Sequence, residues 1–285
     1  MARALTAAAA PVRGELPVSV ARIVAVPDTR EDHAGTLLPV LSGAGPLALR
    51  RLRAGRGPAP AEVALVGAMA APLGGDRIAV TARVEAGARL RVTSVAATVS
   101  LPGPQPGPAW YDVELTVAAG ATLEWLPEPV VAAAGSHLQL TTLITLEAGA
   151  RLRYREEQIL GRQHDWTVHG RPGRLTSRLT VRQAGRLILD QQSDLGPGAP
   201  GWDGPAVLAG HRATGQLLTV GLPFTEPVPA ALPVLAALPG ERESPGEGQG
   251  AVALTLPGAD ARLLLAVAPD GLVLRRLLTQ PADPS

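Results

Sequence analysis

The sequence predicts a mainly β fold in which layered β-hairpin repeats stack into a large β core, with one or two helices near the C-terminus. Three observations predict this fold. A short Gly-Ala motif recurs along the chain, and the residues beside it alternate between apolar and polar. Gly (32 residues) and Pro (28 residues) are frequent among the 285 residues, which indicates many turns.

The repeat has three close copies and one looser copy, centred on Gly87, Gly120, Gly149 and Gly185. These glycines are 33, 29 and 36 residues apart, a spacing typical of stacked supersecondary units. We expect each copy to be a strand, a tight turn in which glycine takes a positive φ, and a second strand. Because one such hairpin cannot bury its apolar face alone, the four hairpins should stack into layered sheets.

The residues around the first glycine show the strand pattern most clearly. Residues 78–84 alternate apolar and polar side chains before the turn, and residues 90–95 do so after it. Gly- and Pro-rich loops are predicted at 103–108 and 196–204. The polar segment 239–250, rich in Gly and Glu, is predicted to be mobile.

The pattern changes after residue 200. Residues 229–238 are predicted to form a short helix, residues 251–256 a strand, and residues 270–278 a second helix with arginines near its C-terminal end. We therefore expect a repeat-bearing β core at about residues 60–200 and a mixed β/α part at residues 201–285.

Composition excludes several kinds of function. The 26 basic and 25 acidic residues give a net charge of +1, and aromatic residues make up 2% of the chain, so no nucleic-acid partner is predicted. The chain has no cysteine, so a metal ion would bind oxygen or imidazole. Among the five histidines, His164 and His169 are closest in sequence. On a strand they would point to opposite faces, which favours surface histidines.

No membrane partner is predicted either. The longest uncharged stretch, residues 129–146, contains too many polar side chains for a membrane span. The N-terminal alanine run is a poor secretory signal, which makes the cytoplasm the simplest location.

Other catalytic patterns are weak. Gly196, Gly198 and Gly201 fit a dinucleotide-binding pattern, but prolines lie inside it and no helix is predicted to follow. The nucleophile pattern G-x-S-x-G is absent from the sequence.

Four carboxylates lie at or beside predicted strands of the repeats. In layered sheets such side chains can face inward, or each can pair with an arginine on the sheet surface, and the pattern leaves both possibilities open. These residues are Asp76, Glu124, Glu156 and Asp190.

Three segments together resemble the urease accessory protein family UreD, also called UreH. They are GGDRI at residues 74–78, which leads into the first repeat, ATLEWLPEP at residues 121–129, and YREEQILGR at residues 154–162. One departure is Glu128, where the family usually has Gln.

The resemblance implies a non-enzymatic metallochaperone scaffold with one UreD-like domain over residues 1–285. Such a protein binds apo-urease on one side and UreF on the other, and UreF recruits the GTPase UreG. It holds no tight cofactor, and Ni²⁺ passes transiently through a water-filled internal tunnel. By position, the residues lining this tunnel are Asp76, Thr98, Glu156 and Asp190, with Glu124 and Glu157 as further candidates.

The oxygen ligands of these side chains suit a nickel ion that passes through the protein and is not retained. Ni²⁺ accepts oxygen ligands and normally takes six, so separated carboxylates and hydroxyls offer only weak sites. Two alternatives remain at this stage. One is a pure adaptor without a nickel conduit, and the other is a β-rich hydrolase whose paired carboxylates lie about 5–10 Å apart in an open cleft.

Overall fold

A computed structural model of the chain describes residues 18–30, 35–52, 59–104, 107–223 and 250–279. These residues form seventeen β-strands and two helices. In chain order the elements are β1 (Ser19–Pro27), β2 (Thr36–Ser42), β3 (Leu47–Arg51), β4 (Ala61–Gly67), β5 (Arg77–Val84), β6 (Arg89–Ser94), β7 (Thr98–Ser100), β8 (Ala109–Val117), β9 (Thr122–Leu126), β10 (Val130–Ala132), β11 (His137–Leu146), β12 (Arg151–Leu160), α1 (Gln163–His169), β13 (Arg174–Gln183), β14 (Arg186–Leu195), β15 (Ala213–Val220), β16 (Gly250–Thr255), β17 (Ala261–Ala268) and α2 (Gly271–Leu278).

The strands form two sheets, which confirms the mainly β prediction. The inner strands of the seven-stranded sheet are parallel, and its strand order is β14-β13-β11-β8-β5-β1-β2. The ten-stranded sheet follows the order β16-β17-β15-β12-β9-β6-β4-β3, and the short strands β7 and β10 pair beside it. We call them the first sheet and the second sheet.

The repeats stack as predicted, but three of the four cross between the sheets instead of forming hairpins. At Gly87 the chain leaves β5 in the first sheet and enters β6 in the second, and Gly120 and Gly149 make the same crossing. Each strand then pairs in parallel with the equivalent strand of the next repeat. Leu90 lies beside Leu123 and Leu123 beside Leu152, so the spacings of 33 and 29 residues in the sequence are also the spacings of the sheet ladders.

The fourth copy is a hairpin. β13 and β14 are antiparallel neighbours in the first sheet, with Gln183 opposite Arg186. Ala184 and Gly185 occupy the turn with φ of 47° and 78°, the left-handed region that a two-residue hairpin turn requires.

Backbone conformation and packing explain the Gly-Ala motif at the three crossings. Gly87, Gly120 and Gly149 take φ of 70–79°. The alanine after each glycine is completely buried where the chain passes between the sheets, so a larger side chain would separate them. The core consists of the inward-facing apolar side chains of both sheets, which are mainly Leu, Val and Ala.

The C-terminal helix is confirmed, since α2 spans Gly271–Leu278 and Asp270 caps its N-terminus by accepting a hydrogen bond from the Val273 backbone N–H. The strand predicted at 251–256 is β16. The helix predicted at 229–238 and nearly all of the segment 239–250 lie outside the described residues. Within the described residues, neither helix is long or apolar enough to span a membrane.

The helix α1 was not predicted, and it changes the setting of the closest histidine pair. His164 and His169 lie on this helix instead of on a strand, and their ring centroids are 6.3 Å apart.

Candidate functional site

Polar side chains interrupt the apolar inner faces of three neighbouring strands. On β12 the inward series runs from Leu152 and Tyr154 to Glu156 and Gln158 before returning to Leu160. Thr142 makes the corresponding interruption on β11 and Ser177 on β13, and both are buried. These polar positions come together between the two sheets.

A cavity of about 350 Å³ lies on one side of this polar cluster. The first sheet contributes Tyr111 and Thr142 to its wall, and the second sheet contributes Trp125 and Glu156. Its rim includes Val95, which is 68% exposed, and Met69, which is 62% exposed. The cavity therefore extends from an apolar rim at the surface to the buried carboxylate.

A second cavity, of about 210 Å³, lies on the other side. Its wall combines amide and hydroxyl groups with leucine side chains, and its rim includes the exposed side chain of Val207. Glu156 lines both cavities, and no other described residue does. The polar residues of the second cavity are Glu156, Gln158, Ser177, Gln191, Gln192, Ser193, Thr214 and Gln216.

Glu156 is held at this junction by neutral hydrogen-bond donors. Tyr154 Oη donates to Glu156 Oε2 at 2.6 Å, and Gln158 Nε2 donates to Glu156 Oε1 at 2.6 Å. Gln216 Nε2 lies at 3.5 Å from the same Oε1. Gln158 Nε2 also donates to Ser177 Oγ at 2.9 Å, so the network ties β12 to strands of both sheets.

Burial decides the acid–base chemistry of Glu156, which is 6% exposed. Desolvation raises the pKa of its carboxyl above the ordinary glutamate value, and the three hydrogen bonds offset only part of this rise. Burial likewise raises the pKa of Tyr154 well above that of a free tyrosine, and the neighbouring Glu156 charge adds to the rise.

The first cavity lies at an interruption in the strand pairing of the second sheet. Residues 151–154 of β12 pair with β9, and residues 158–160 pair with β10. Among the described strands, neither β9 nor β10 pairs with residues 155–157. There the carbonyl oxygens of Leu126, at the end of β9, and of Pro127, just after it, accept hydrogen bonds from Arg155 Nη2.

An arginine of the C-terminal helix lies over this interruption. Arg275 Nε donates to both carboxylate oxygens of Glu157, at 2.7 and 2.8 Å, and its Nη atoms donate to Glu128 at 3.2 and 3.1 Å. Glu157 is fully buried by this contact and by Arg155, whose Nε lies 3.3 Å from it. Glu128, at a family Gln position, is therefore part of the clamp that holds α2 to the rim.

The structure places three of the six predicted site residues at the first cavity. Glu156 points inward, whereas Glu157 points to the outer face of the second sheet and reaches the cavity through the interruption. Thr98 lines the same cavity from β7.

The other three predicted residues lie outside both cavities. Asp76 closes a turn by accepting a hydrogen bond from the Leu73 backbone N–H at 2.8 Å. Asp190 is on the outer face of the first sheet, where it accepts hydrogen bonds from Arg178 at 3.0 and 2.8 Å, and this contact lowers the pKa of its carboxyl. Glu124 is on the outer face of the second sheet, where it pairs with Arg91 and Arg153.

Sequence reasoning missed the hydroxyl and amide residues of the junction. A usable signal was present, because Thr142, Gln158 and Ser177 each break an apolar alternation that is otherwise continuous on its strand. Within the described residues, no group of three or more His, Asp or Glu side chains is arranged to hold a metal ion tightly. The junction therefore offers oxygen ligands to a cation without a complete cage.

Comparisons with known proteins agree on one family. The family model described as "UreD urease accessory protein" matches residues 22–282. A protein of Streptomyces avermitilis named urease accessory protein UreD is 54% identical over 92% of this chain and 95% of its own length. A protein of the same name from Streptomyces coelicolor is 53% identical over 90% and 92%. In Saccharopolyspora erythraea, urease accessory protein UreD 2 is 46% identical over 88% and 84%.

Proposed function

The chain belongs to the UreD family of urease accessory proteins, and we propose that it is a scaffold through which Ni²⁺ reaches urease during maturation. In this proposal it binds apo-urease and UreF, and it reaches UreG through UreF. The setting we propose is the cytoplasm. Its role is accessory, as the names of its relatives say, and nickel is its cargo.

The observation that carries the nickel proposal is the position of Glu156 between two cavities. The first cavity has a rim at the surface of the second sheet, and the second cavity has its own rim beyond the polar cluster. A cation that enters either cavity meets the same carboxylate. A polar route between sheets of otherwise apolar side chains has no structural necessity, since an apolar core would stabilise the fold equally well or better.

The cavity sizes suit a hydrated ion. Ni²⁺ with six waters needs roughly the volume of seven water molecules, about 200 Å³ at ~30 Å³ each. The first cavity, at about 350 Å³, and the second, at about 210 Å³, both have room for several water molecules. The amides and hydroxyls of the second cavity can replace some waters of hydration without binding the ion as tightly as a cage of histidines would.

The hydrolase alternative finds no support in the geometry. Glu156 and Glu157 are adjacent on one strand and point to opposite faces, and an arginine covers Glu157. The pure adaptor alternative differs from our proposal only in the route of nickel, so a test must separate binding from passage.

Partner binding is tested by affinity capture. The tagged full chain should retain apo-urease and UreF from a mixture of the purified proteins, and UreG only when UreF is present. Capture of UreG without UreF, or failure to retain apo-urease, would contradict the scaffold proposal.

Nickel passage is tested by a matched pair of variants. Glu156→Leu changes the junction, whereas Asp190→Leu changes an exposed carboxylate on the outer face. We expect both variants to retain the partners, and only Glu156→Leu to lower the nickel content of urease after activation. Equal nickel content with both variants would favour the pure adaptor.

A further inference from the structure

We propose that a basic groove on the outer face of the second sheet docks an extended acidic segment of a partner protein. The groove follows the end of β15, beyond the part that α2 covers. Thr219 and Gly221 lie along its middle, Arg262 on β17 flanks one side, and Arg151 and Arg153 on β12 flank the other. The inference rests on the scaffold part of the proposed function and does not depend on the route of nickel.

The strand register places three of these residues in one row. Arg153 is opposite Thr219, and Thr219 is opposite Arg262. Side chains that lie directly opposite each other point to the same face of a sheet, so the two arginines stand on either side of a short side chain. They are two strand spacings apart, about 10 Å, and an extended chain can lie between them above β15.

The neighbouring residues define the two ends of the groove. Leu217 is the preceding outward residue on β15, and it belongs to the apolar cluster that contains Leu274 and Leu278 of α2. At the opposite end the Arg151 side chain passes beside Gly221, which has no side chain of its own. The groove therefore begins where α2 ends and continues to the turn after β15.

The positive charge of the groove is only partly neutralised. Arg151 and Arg262 are exposed, and in the part of the chain that the structure describes neither makes a hydrogen bond or an ion pair. Arg153 Nη1 lies 3.5 Å from Glu124 Oε1, but Glu124 also pairs with Arg91. One carboxylate is thus shared by two arginines, and the two exposed arginines have none.

The convergence of its arginines distinguishes the groove from other charged positions. On the outer face of the first sheet, Arg178 pairs with Asp190. Arg22 and Arg182 form no ion pair with other described residues, but three strands separate them. Asp260 is exposed in the turn before β17, yet it forms no ion pair with any arginine that the structure describes. A partner that carries carboxylates would supply the missing ion pairs.

Charge and geometry together select the kind of partner. A guanidinium can bind a carboxylate through two parallel hydrogen bonds. Successive side chains of an extended chain point in opposite directions, so neighbouring acidic residues would reach Arg262 on one side and Arg153 on the other. Because these ion pairs would be open to solvent, added salt should weaken them.

Other anionic partners fit this surface less well. Proteins that bind single-stranded nucleic acid use aromatic side chains as stacking platforms, whereas the groove consists of arginine, threonine and glycine. Glu124, at its border, would also repel a continuous phosphate backbone. Membrane surfaces are bound by basic side chains together with exposed apolar ones, and the residues between the arginines are Thr219 and Gly221.

The experiment measures the fluorescence anisotropy of a labelled octaglutamate peptide titrated with the full chain, and an octaglutamine peptide is the uncharged control. Arg151→Gln and Arg262→Gln together remove two charges from the groove. Arg22→Gln and Arg182→Gln together are the matched control, because they remove two exposed arginines from the outer face of the first sheet. We expect the groove variant to bind the peptide about tenfold more weakly and the control variant no more than about twofold more weakly.

All four substitutions are at exposed positions, so both variants are expected to fold. Binding by the wild type should weaken as NaCl rises from about 50 to 500 mM. In affinity capture, the groove variant should retain less apo-urease or less UreF than the control variant does.

Equal peptide binding by the two variants would overturn the groove, and so would undiminished retention of both partners by the groove variant. Tighter binding of the wild type to oligothymidylate or to phosphatidylserine vesicles than to octaglutamate would also overturn it, because the surface would then serve another class of partner. The two proposals fail separately. A wild-type chain that binds octaglutamate through the groove but retains neither partner would contradict the scaffold alone. Partner retention that is insensitive to the groove would contradict the groove alone.

Discussion

Replacing Ser177 with Phe should block the second cavity while leaving the outer surface unchanged. Ser177 is buried on β13 and its side chain faces the cavity of about 210 Å³. Phe adds five heavy atoms to the side chain, so its ring would occupy much of this cavity. Less room would then remain for a hydrated ion.

The substitution also has a cost in stability. It removes the hydrogen bond from Gln158 Nε2 and the contact with Ser193 Oγ at 2.8 Å, at about 1 kcal/mol each. Burial of the Phe ring offsets part of this loss. The variant should therefore fold and retain its partners, and circular dichroism and affinity capture check both points.

The assay is the rate at which urease gains nickel in the complete activation mixture, followed by metal analysis of purified urease. We expect a loss of about tenfold or more, which corresponds to an added barrier of at least ~1.4 kcal/mol. Thr180→Phe is the matched control, because Thr180 lies on the same strand and its hydroxyl contacts Asp190 on the outer face. A folded Ser177→Phe variant that loads urease at the normal rate would refute the passage.

Three further predictions concern stability and docking. Because the folded pKa of Glu156 is raised, its favourable contribution is complete below the ordinary glutamate pKa and is lost as pH rises through the folded value. Glu156→Gln should therefore gain stability relative to the wild type as the pH rises above the ordinary glutamate pKa in urea titrations, and a difference independent of pH would contradict this. Hydrogen bonds from Arg162 lower the pKa of Asp165 to about 2, so this carboxylate stabilises the fold above about pH 4 and the benefit is lost as pH falls through 2. Asp165→Asn should cost roughly 2 kcal/mol at pH 7 and less at pH 2 in thermal unfolding, and an equal cost at both pH values would contradict the assignment. Arg275→Met should leave Glu157 with one cationic partner and increase hydrogen exchange in α2 by at least about tenfold, or ~1.4 kcal/mol, whereas unchanged exchange would show that the apolar contacts of α2 hold it alone.

Apolar alternation predicted the strands well but could not predict their partners. A strand–Gly–strand unit reads the same in sequence whether its strands pair with each other or enter two sheets. At Gly149 they enter two sheets, and at Gly185 they form a hairpin. The two turns differ in the space available to the residue that follows the glycine. Ala150 is buried between the sheets, whereas Arg186 follows Gly185 and is exposed.

The same alternation of apolar and polar residues shows which predicted carboxylates face inward and which face outward, provided that the register of the strand is known. Glu156 shares a face with Leu152 and Tyr154, so its inward position follows from the pattern of its strand. Asp190 follows three consecutive apolar residues, 187–189, which hide the alternation, and its outward position depends on pairing with β13. A polar residue within an apolar series therefore indicates an inward position more directly than the presence of a carboxylate beside a strand.

Contacts between distant parts of the chain could not be predicted from local patterns. Arg275 and Glu157 are 118 residues apart in sequence, and only the docking of α2 on the second sheet brings them together. The helix α1 was missed because it has seven residues and depends on Asp165, whose carboxylate accepts from the Arg162 backbone and guanidinium. Its stability comes from this local network more than from helix propensity.

The most direct test of the passage is X-ray diffraction at the nickel absorption edge from crystals of the chain soaked in Ni²⁺. The account predicts an anomalous peak between the two cavities, within coordination distance of a Glu156 carboxylate oxygen, that disappears in Glu156→Gln. Nickel bound only at the protein surface, for example at His164 and His169, with both cavities free of metal at saturating Ni²⁺, would contradict it.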